Sequence, residues 1–318
     1  MKVLVTATSF KPDRPTPALE MLRQFADEIV YNPYGRPLTE EELIPLLQGC
    51  DGYIAGLDSV SARVIESCDR LKVISRYGAG VDRVDLAAAA RRGVSVCNTP
   101  GANAQAVADL ALGLMLAAAR KIPMLDRRTR EGEWVRSTGV ELYGKTLGIL
   151  GLGAIGKSVA KRGQGFDMKV LAYDPYLDGA YARAHGITPA AFDEVVAQSD
   201  VISLHLPLNG QTRHIMSRAV MEAMKPGAIL INTARGGLID EAAACALLQS
   251  GHLGGLGLDA YEVEPPTGSP LFGLDSVVAT PHTGSHTTEA TACMALMSVR
   301  NLIDVLSGVP CPHVVRTV

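Results

Sequence analysis

The chain has 318 residues, 47% hydrophobic and 20% charged, which is enough apolar material for two domains of ordinary size and too much for a disordered chain. A formal net charge of −3 argues against a global nucleic-acid-binding surface and against a polyanion-like one. Six scattered cysteines (Cys50, Cys68, Cys97, Cys245, Cys293 and Cys311) form no CxxC pair and no zinc-type spacing, so they read as reduced, mostly buried thiols of a cytoplasmic protein with no metal site.

The chain opens with MKVLVTATSF, which has one lysine and a short apolar run but no long hydrophobic region or cleavage site. This predicts a first strand over 2–8, not a signal peptide. Short β-branched runs at 52–57, 72–77 and 93–98 predict further buried strands. Helical stretches at 16–26, 39–47, 61–67 and 85–91 lie between the runs, so the first hundred residues predict a parallel α/β layer. The breaker cluster Asn98-Thr99-Pro100-Gly101 marks a crossing into a second domain.

The most apolar stretch, 104–119, is interrupted by Asp109. It is short of the roughly 20 residues of a membrane span and carries a carboxylate, so a helix buried between domains or subunits is the preferred reading. A charged stretch follows at 126–136. Strands are then predicted at 145–153, 169–175, 201–207, 228–234, 254–260 and 277–282. One helix over about 287–306 would cross back and complete the first layer.

The first of these later strands runs into Gly151-Leu152-Gly153-Ala154-Ile155-Gly156 and a helix. Gly151 permits the tight turn, Gly153 lets the backbone approach a pyrophosphate, and Gly156 allows close helix–strand packing. Asp174 ends the next strand, eighteen residues after Gly156, where a carboxylate accepts from a ribose 2′-OH. It would repel a 2′-phosphate, and Pro175-Tyr176 offers no arginine, so NAD is preferred over NADP. The bland alternative is that the glycines only shape a turn and Asp174 caps a loop.

Arg235, Glu264 and His282 follow later strands, where ligands bind in an open α/β sheet. Reduction of a 2-oxo acid builds negative charge on the carbonyl oxygen, and a histidine titrates in the range needed to neutralise it. A neighbouring Glu264 favours imidazolium. Arg235 can hold the carboxylate and polarise the carbonyl. Singly, each has another reading: a surface ion pair for Arg235, a solvated loop acid for Glu264, and a helix cap for His282.

The segments SRYGAGVDRVD, GLGAIG, NTARGGLID, LDAYEVEPP and TPHTGS occur in that order, and with them the chain resembles the D-isomer-specific 2-hydroxyacid dehydrogenases through nearly its whole length. The likeness is greatest to the phosphoglycerate-dehydrogenase branch, in a short form without the regulatory domain. The resemblance implies an α/β fold of two Rossmann-like domains with parallel sheets and a cleft between them. The substrate-binding domain would be discontinuous (1–100 and 286–318), and the NAD-binding domain would span 101–285. It also implies a homodimer packed through the 104–119 region. Asp259 would hold the nicotinamide carboxamide, and Leu206, Thr233 and Ala234 complete the expected cofactor contacts. Tyr77, Gly78, Ala79 and Gly80 would grip the substrate carboxylate through backbone N–H groups.

Arg76 and Arg136 resemble positions that bind a distal anionic group in the phosphoglycerate branch, though ordinary surface arginines are an equal reading. A third position, usually arginine there, is Gly56 here. The first substrate expectation is 3-phosphoglycerate or a similar anionic hydroxy acid, and the alternative is a hydroxypyruvate, glyoxylate or other 2-oxo acid reductase. Formate dehydrogenases are disfavoured because they carry Gln where Glu264 stands. An NAD-sensing, co-repressor-like binding protein is the alternative from another class. A methyltransferase would leave Arg235, Glu264 and His282 unexplained. No nucleic acid or membrane partner is expected.

Overall fold

The computed structural model describes residues 1–315. The chain divides into two compact units, Met1–Asn103 together with the chain from His286 onward, and Ala104–Ser285. Among the described residues no helix is long and apolar enough to cross a membrane.

The first unit holds β1 (Lys2–Val5), α1 (Pro17–Phe25), β2 (Glu28–Tyr31), α2 (Glu40–Leu47), β3 (Gly52–Ala55), α3 (Ala62–Glu66), β4 (Val73–Arg76), α4 (Leu86–Arg91) and β5 (Ser95–Cys97). The sheet is parallel, in the order β2-β1-β3-β4-β5. Thr16, Thr39, Ser61 and Asp85 start the four helices by accepting a first-turn backbone N–H, each cap contributing about 1 kcal/mol. Side chains alternate across the sheet: Leu4, Tyr53 and Ile74 join one core, while Val3, Val5, Ile54 and Val73 join the other.

The predicted strands and helices of this unit are present, but β2 lay outside the expectation. It is a four-residue edge strand with no fully buried side chain, so it gives little apolar signal.

The second unit begins with α5 (Ala104–Ala119) and α6 (Ile122–Arg130). It continues through β6 (Thr146–Leu150), α7 (Ala154–Gln164), β7 (Lys169–Tyr173), α8 (Gly179–Ala184), β8 (Ile187–Pro189), α9 (Phe192–Gln198), β9 (Val201–Leu204), α10 (Arg218–Glu222), β10 (Ala228–Asn232), α11 (Glu241–Gln249), β11 (Leu253–Leu258) and β12 (Val277–Ala279). All neighbours are parallel, in the order β12-β11-β10-β9-β6-β7-β8. Counted from β6, this is the doubly wound dinucleotide-binding order with one further strand, and it reverses between β6 and β9. Leu147, Ile149, Ile229 and Ile231 face one core, and Leu150, Leu204 and Leu230 face the other.

Much of the burial of α5 comes from its own unit, where it packs on α7, β10 and β11. Gly255 and Gly257 of β11 let it sit close: a Cβ on Gly257 would come within 3.0 Å of Leu114 Cβ. Its Asp109 points outward to Arg162 Nε at 2.6 Å.

The last helix, α12 (Thr288–Leu306), belongs to the first unit and packs on β3, β4, β5 and α1. Thr287 caps it at Ala290 N. Its inward face carries Met294, Ser298, Val299 and Leu302, and burying Val299 and Leu302 contributes about 2 kcal/mol each. Gly52 makes room, since a Cβ there would lie 2.9 Å from Leu302 Cδ1.

Candidate active site

β6 delivers the chain to Gly151, whose φ of +102° favours glycine. A Cβ there would come within 2.6 Å of the His205 carbonyl carbon, so the ends of β6 and β9 meet at the point where strand order reverses. Leu152 N donates to Asp174 Oδ2 and Tyr176 N to Oδ1, both at 2.8 Å. The glycine turn thus orients the carboxylate, and about two of its four acceptor positions stay open for a ribose hydroxyl. Gly156 packs on Gly151, where a Cβ would lie 2.1 Å from the Gly151 carbonyl oxygen.

Gly153 is different, because a Cβ there would meet nothing within 4 Å. No protein neighbour demands glycine at that position. It is also the N-cap of α7 and offers no side chain to the first turn, which begins at Ala154 and Ile155. Open space beside uncapped N–H groups fits a pyrophosphate. Leu206 and Thr233 are buried at the ends of β9 and β10, Ala234 is half-buried, and Thr233 Oγ1 is buried without a hydrogen-bond partner. The turn, the acid and this unpaired hydroxyl fit a bound NAD.

The three expected reaction residues all lie in this second unit. His282 Nδ1 is 2.8 Å from Glu264 Oε1, with side-chain exposures of 28% and 20%. Tyr261 N also donates to Glu264 Oε1, at 3.3 Å. Arg235 Nη1 donates to Ala234 O at 2.7 Å. Gly236, next to Arg235, presses on the loop that carries Glu264: a Cβ there would lie 1.8 Å from the Tyr261 carbonyl carbon. One short region therefore gathers the cation, the acid and the imidazole.

Asp259 is 2% exposed and accepts from Thr280 Oγ1 at 2.6 Å and from Thr283 N and Gly284 N at 2.8 Å. It clamps the loop on which His282 sits with φ +50°.

In the first unit, the turn after β4 is tied by its carbonyls. Thr99 N donates to Gly78 O at 3.0 Å, Asn98 Nδ2 to Ala79 O at 2.7 Å, and Arg76 Nε to Gly80 O at 3.1 Å. Tyr77 N is used by Ala55 O, whereas the N–H groups of Gly78, Ala79 and Gly80 donate to no group among the described residues. Successive unpaired N–H groups of this kind make an anion-binding nest. Arg76 itself is only 4% exposed, and its Nη1 donates to Ala55 O at 2.8 Å. Nε thus braces the turn, and Nη1 ties Arg76 to the end of β3. Arg136 is exposed, in the irregular segment between α6 and β6.

Residues 112–284, more than half of the chain, match the family model described as D-isomer specific 2-hydroxyacid dehydrogenase, NAD binding domain. The chain belongs to this family. It is 43% identical over 283 residues to the D-3-phosphoglycerate dehydrogenase of Methanocaldococcus jannaschii, covering 88% of this chain and 54% of that protein. It is also 43% identical over 278 residues to the hydroxypyruvate reductase of Thermotoga maritima, covering 85% of this chain and 89% of that one. Among solved structures, the TT0316 protein of Thermus thermophilus superposes with a TM-score of 0.88 at 38% identity, covering 99% of this chain and 100% of that chain. The chain spans about half the length of the phosphoglycerate relatives it matches. As in the family description, the second unit carries the NAD-binding domain.

Sequence reasoning missed several supports of this dehydrogenase-family site. Asn232 is fully buried; its Oδ1 accepts from Ala234 N at 3.0 Å and its Nδ2 donates to Arg235 O at 2.7 Å, fixing the turn that presents Arg235. An Asn ending an apolar strand just before a turn is a readable Asx signal.

His205, also missed, lies at the end of β9, with Nε2 2.9 Å from Ser203 Oγ and Nδ1 buried without a partner. Burial pushes its imidazole down to about 3. This lies below the ordinary value of about 6.5, so its contribution to stability is full above about pH 6.5 and is lost as pH falls toward 3. Urea midpoints should therefore fall more steeply between about pH 7 and 5 for the wild-type chain than for His205→Gln. Equal slopes would remove His205 from the acid sensitivity.

Proposed function

We propose that the chain is an NAD-dependent dehydrogenase acting between a small 2-hydroxy acid and its 2-oxo acid. The observation that carries this is the Glu264–His282 pair beside the Arg235 turn, at the carboxyl ends of the strands of the NAD-binding unit. When bound, NAD(H) accepts or supplies the hydride. His282 protonates the C2 oxygen as charge develops there and removes that proton in the reverse direction. Glu264 stabilises the imidazolium, and Arg235 holds the carboxylate and polarises the carbonyl. Asp259 positions the His282 loop and, as the family resemblance implies, meets the carboxamide. The Tyr77–Gly80 nest is proposed to take the substrate carboxylate.

A 3-phosphoglycerate-like substrate was the first expectation, resting partly on Arg76. The engagement of Arg76 with Gly80 O and with Ala55 O favours the second reading, a hydroxypyruvate or glyoxylate reductase. Gly56 adds to this: a Cβ there would lie 3.1 Å from Thr6 O, which leaves little room for the arginine of the phosphoglycerate branch. Rates of NADH oxidation across 2-oxo acids with and without a phosphate decide between them. Faster turnover of hydroxypyruvate or glyoxylate than of 3-phosphohydroxypyruvate supports the second reading, and the reverse order restores the first. NADH binding with no turnover on any acid favours an NAD-sensing protein.

A homodimer belongs to the same proposal. Trp134 and Tyr143 are 85% and 70% exposed in the segment between α6 and β6, an apolar surface that a second copy would cover; a monomer by sedimentation would count against it. The mostly buried thiols suit a reducing, cytoplasmic setting.

A further inference from the structure

β5 ends on a fully buried cysteine, and the chain beyond α12 returns to lie beside it. Asn98 N donates to His313 O at 3.3 Å, Val315 N donates to Val96 O at 2.8 Å, and Cys97 and Val314 form an antiparallel bridge. This pairing brings Cys311 Sγ to 3.8 Å from Cys97 Sγ, although 214 positions separate them in sequence. The two sulfurs are in van der Waals contact, and a bond of about 2.05 Å requires less than about 2 Å of further approach. Cys97 is closed to solvent and Cys311 is partly open. The reaction proposed above uses neither.

We propose that Cys97 and Cys311 are a redox modification site, closed to a reversible disulfide by a small-molecule disulfide. The Cys311 thiolate attacks one sulfur of the oxidant; the oxidant's S–S bond breaks and one thiolate leaves. Cys97 loses its proton and attacks the Cys311 sulfur of the mixed disulfide, and a second thiolate leaves. The protein gives up two protons and two electrons, and the oxidant becomes two thiols. Burial, with Cys311 alongside, pushes the Cys97 thiol up, so the second step is slow at neutral pH and faster as pH rises. In a reducing compartment such a bond is transient and forms on exposure to oxidant. It would staple the C-terminal segment next to Asn98 and Thr99, which hold the turn after β4.

The test uses the full chain, reduced and then incubated folded with oxidised glutathione. Thiols are counted by maleimide labelling after unfolding, and the linkage is located by peptide mass mapping. The expected result is the loss of two of the six thiols, one linked species containing the Cys97 and Cys311 peptides, and recovery of both thiols with dithiothreitol. Cys311→Ser should leave Cys97 reduced, and Cys97→Ser should stop at a glutathione adduct on Cys311. A stable adduct on Cys311 in the wild-type chain overturns the proposal, as does modification of the exposed Cys293 while Cys97 and Cys311 stay reduced. Mapping the wild-type chain decides the matter even where Cys97→Ser fails to fold.

Discussion

Replacing His282 by alanine is expected to lower turnover of 2-oxo acids by about 10²- to 10⁴-fold, with NADH affinity nearly unchanged. Nδ1 is held by Glu264 Oε1 at 2.8 Å, which leaves Nε2 for the substrate oxygen in the proposed reaction. Without the ring, charge developing on that oxygen has no positioned donor. His282 also sits at φ +50°, where alanine is strained by roughly 1–2 kcal/mol. His282→Asn separates the two effects, because asparagine tolerates this backbone region but cannot supply the proton. Steady-state kinetics and an NADH fluorescence titration should therefore show both variants binding cofactor and neither turning over well. Wild-type turnover in His282→Asn would remove the imidazole from the chemistry.

Gly236→Ala should be the more damaging change to the molecule as a whole. An added Cβ would stand 1.8 Å from the Tyr261 carbonyl carbon, 2.1 Å from its oxygen and 2.2 Å from Glu262 N. All three neighbours are backbone atoms, so no rotamer change can relieve the clash. The turn carrying Arg235 must move away from the loop carrying Glu264. Overpacking of this kind costs at least about 1–3 kcal/mol, and a displacement of about 1 Å at reacting groups costs about 10²-fold in rate. The chain should therefore lose both thermal stability and turnover. A variant with wild-type melting temperature and turnover would show that this contact does not hold the site together.

Much of the architecture was legible because each signal was local. Thr16, Thr39, Ser61 and Asp85 each announce a helix, and apolar runs such as AILIN announce strands buried on both faces. β2 and β8 were not legible: EIVY is a half-covered edge and ITP ends in a proline. Within the site, strand-end positions pointed to Arg235, Glu264 and His282. Their supports depend on contacts between distant segments. Nothing local to Gly236 tells of Tyr261, and nothing local to Gly78 tells of the Thr99 N–H that holds its carbonyl. Arg76 shows the opposite failure, since an arginine beside a glycine turn suggests a ligand contact whereas one of its nitrogens braces that turn and another the end of β3.

The return of α12 to the first unit has a consequence for biogenesis. On the ribosome, Ala104–Ser285 can complete its own sheet while Met1–Asn103 still lacks the helix that covers Ile54, Val73 and Cys97. The part translated first is thus finished last, and until Leu302 emerges its bare face is the nascent protein's vulnerable surface, the one a chaperone would have reason to shield.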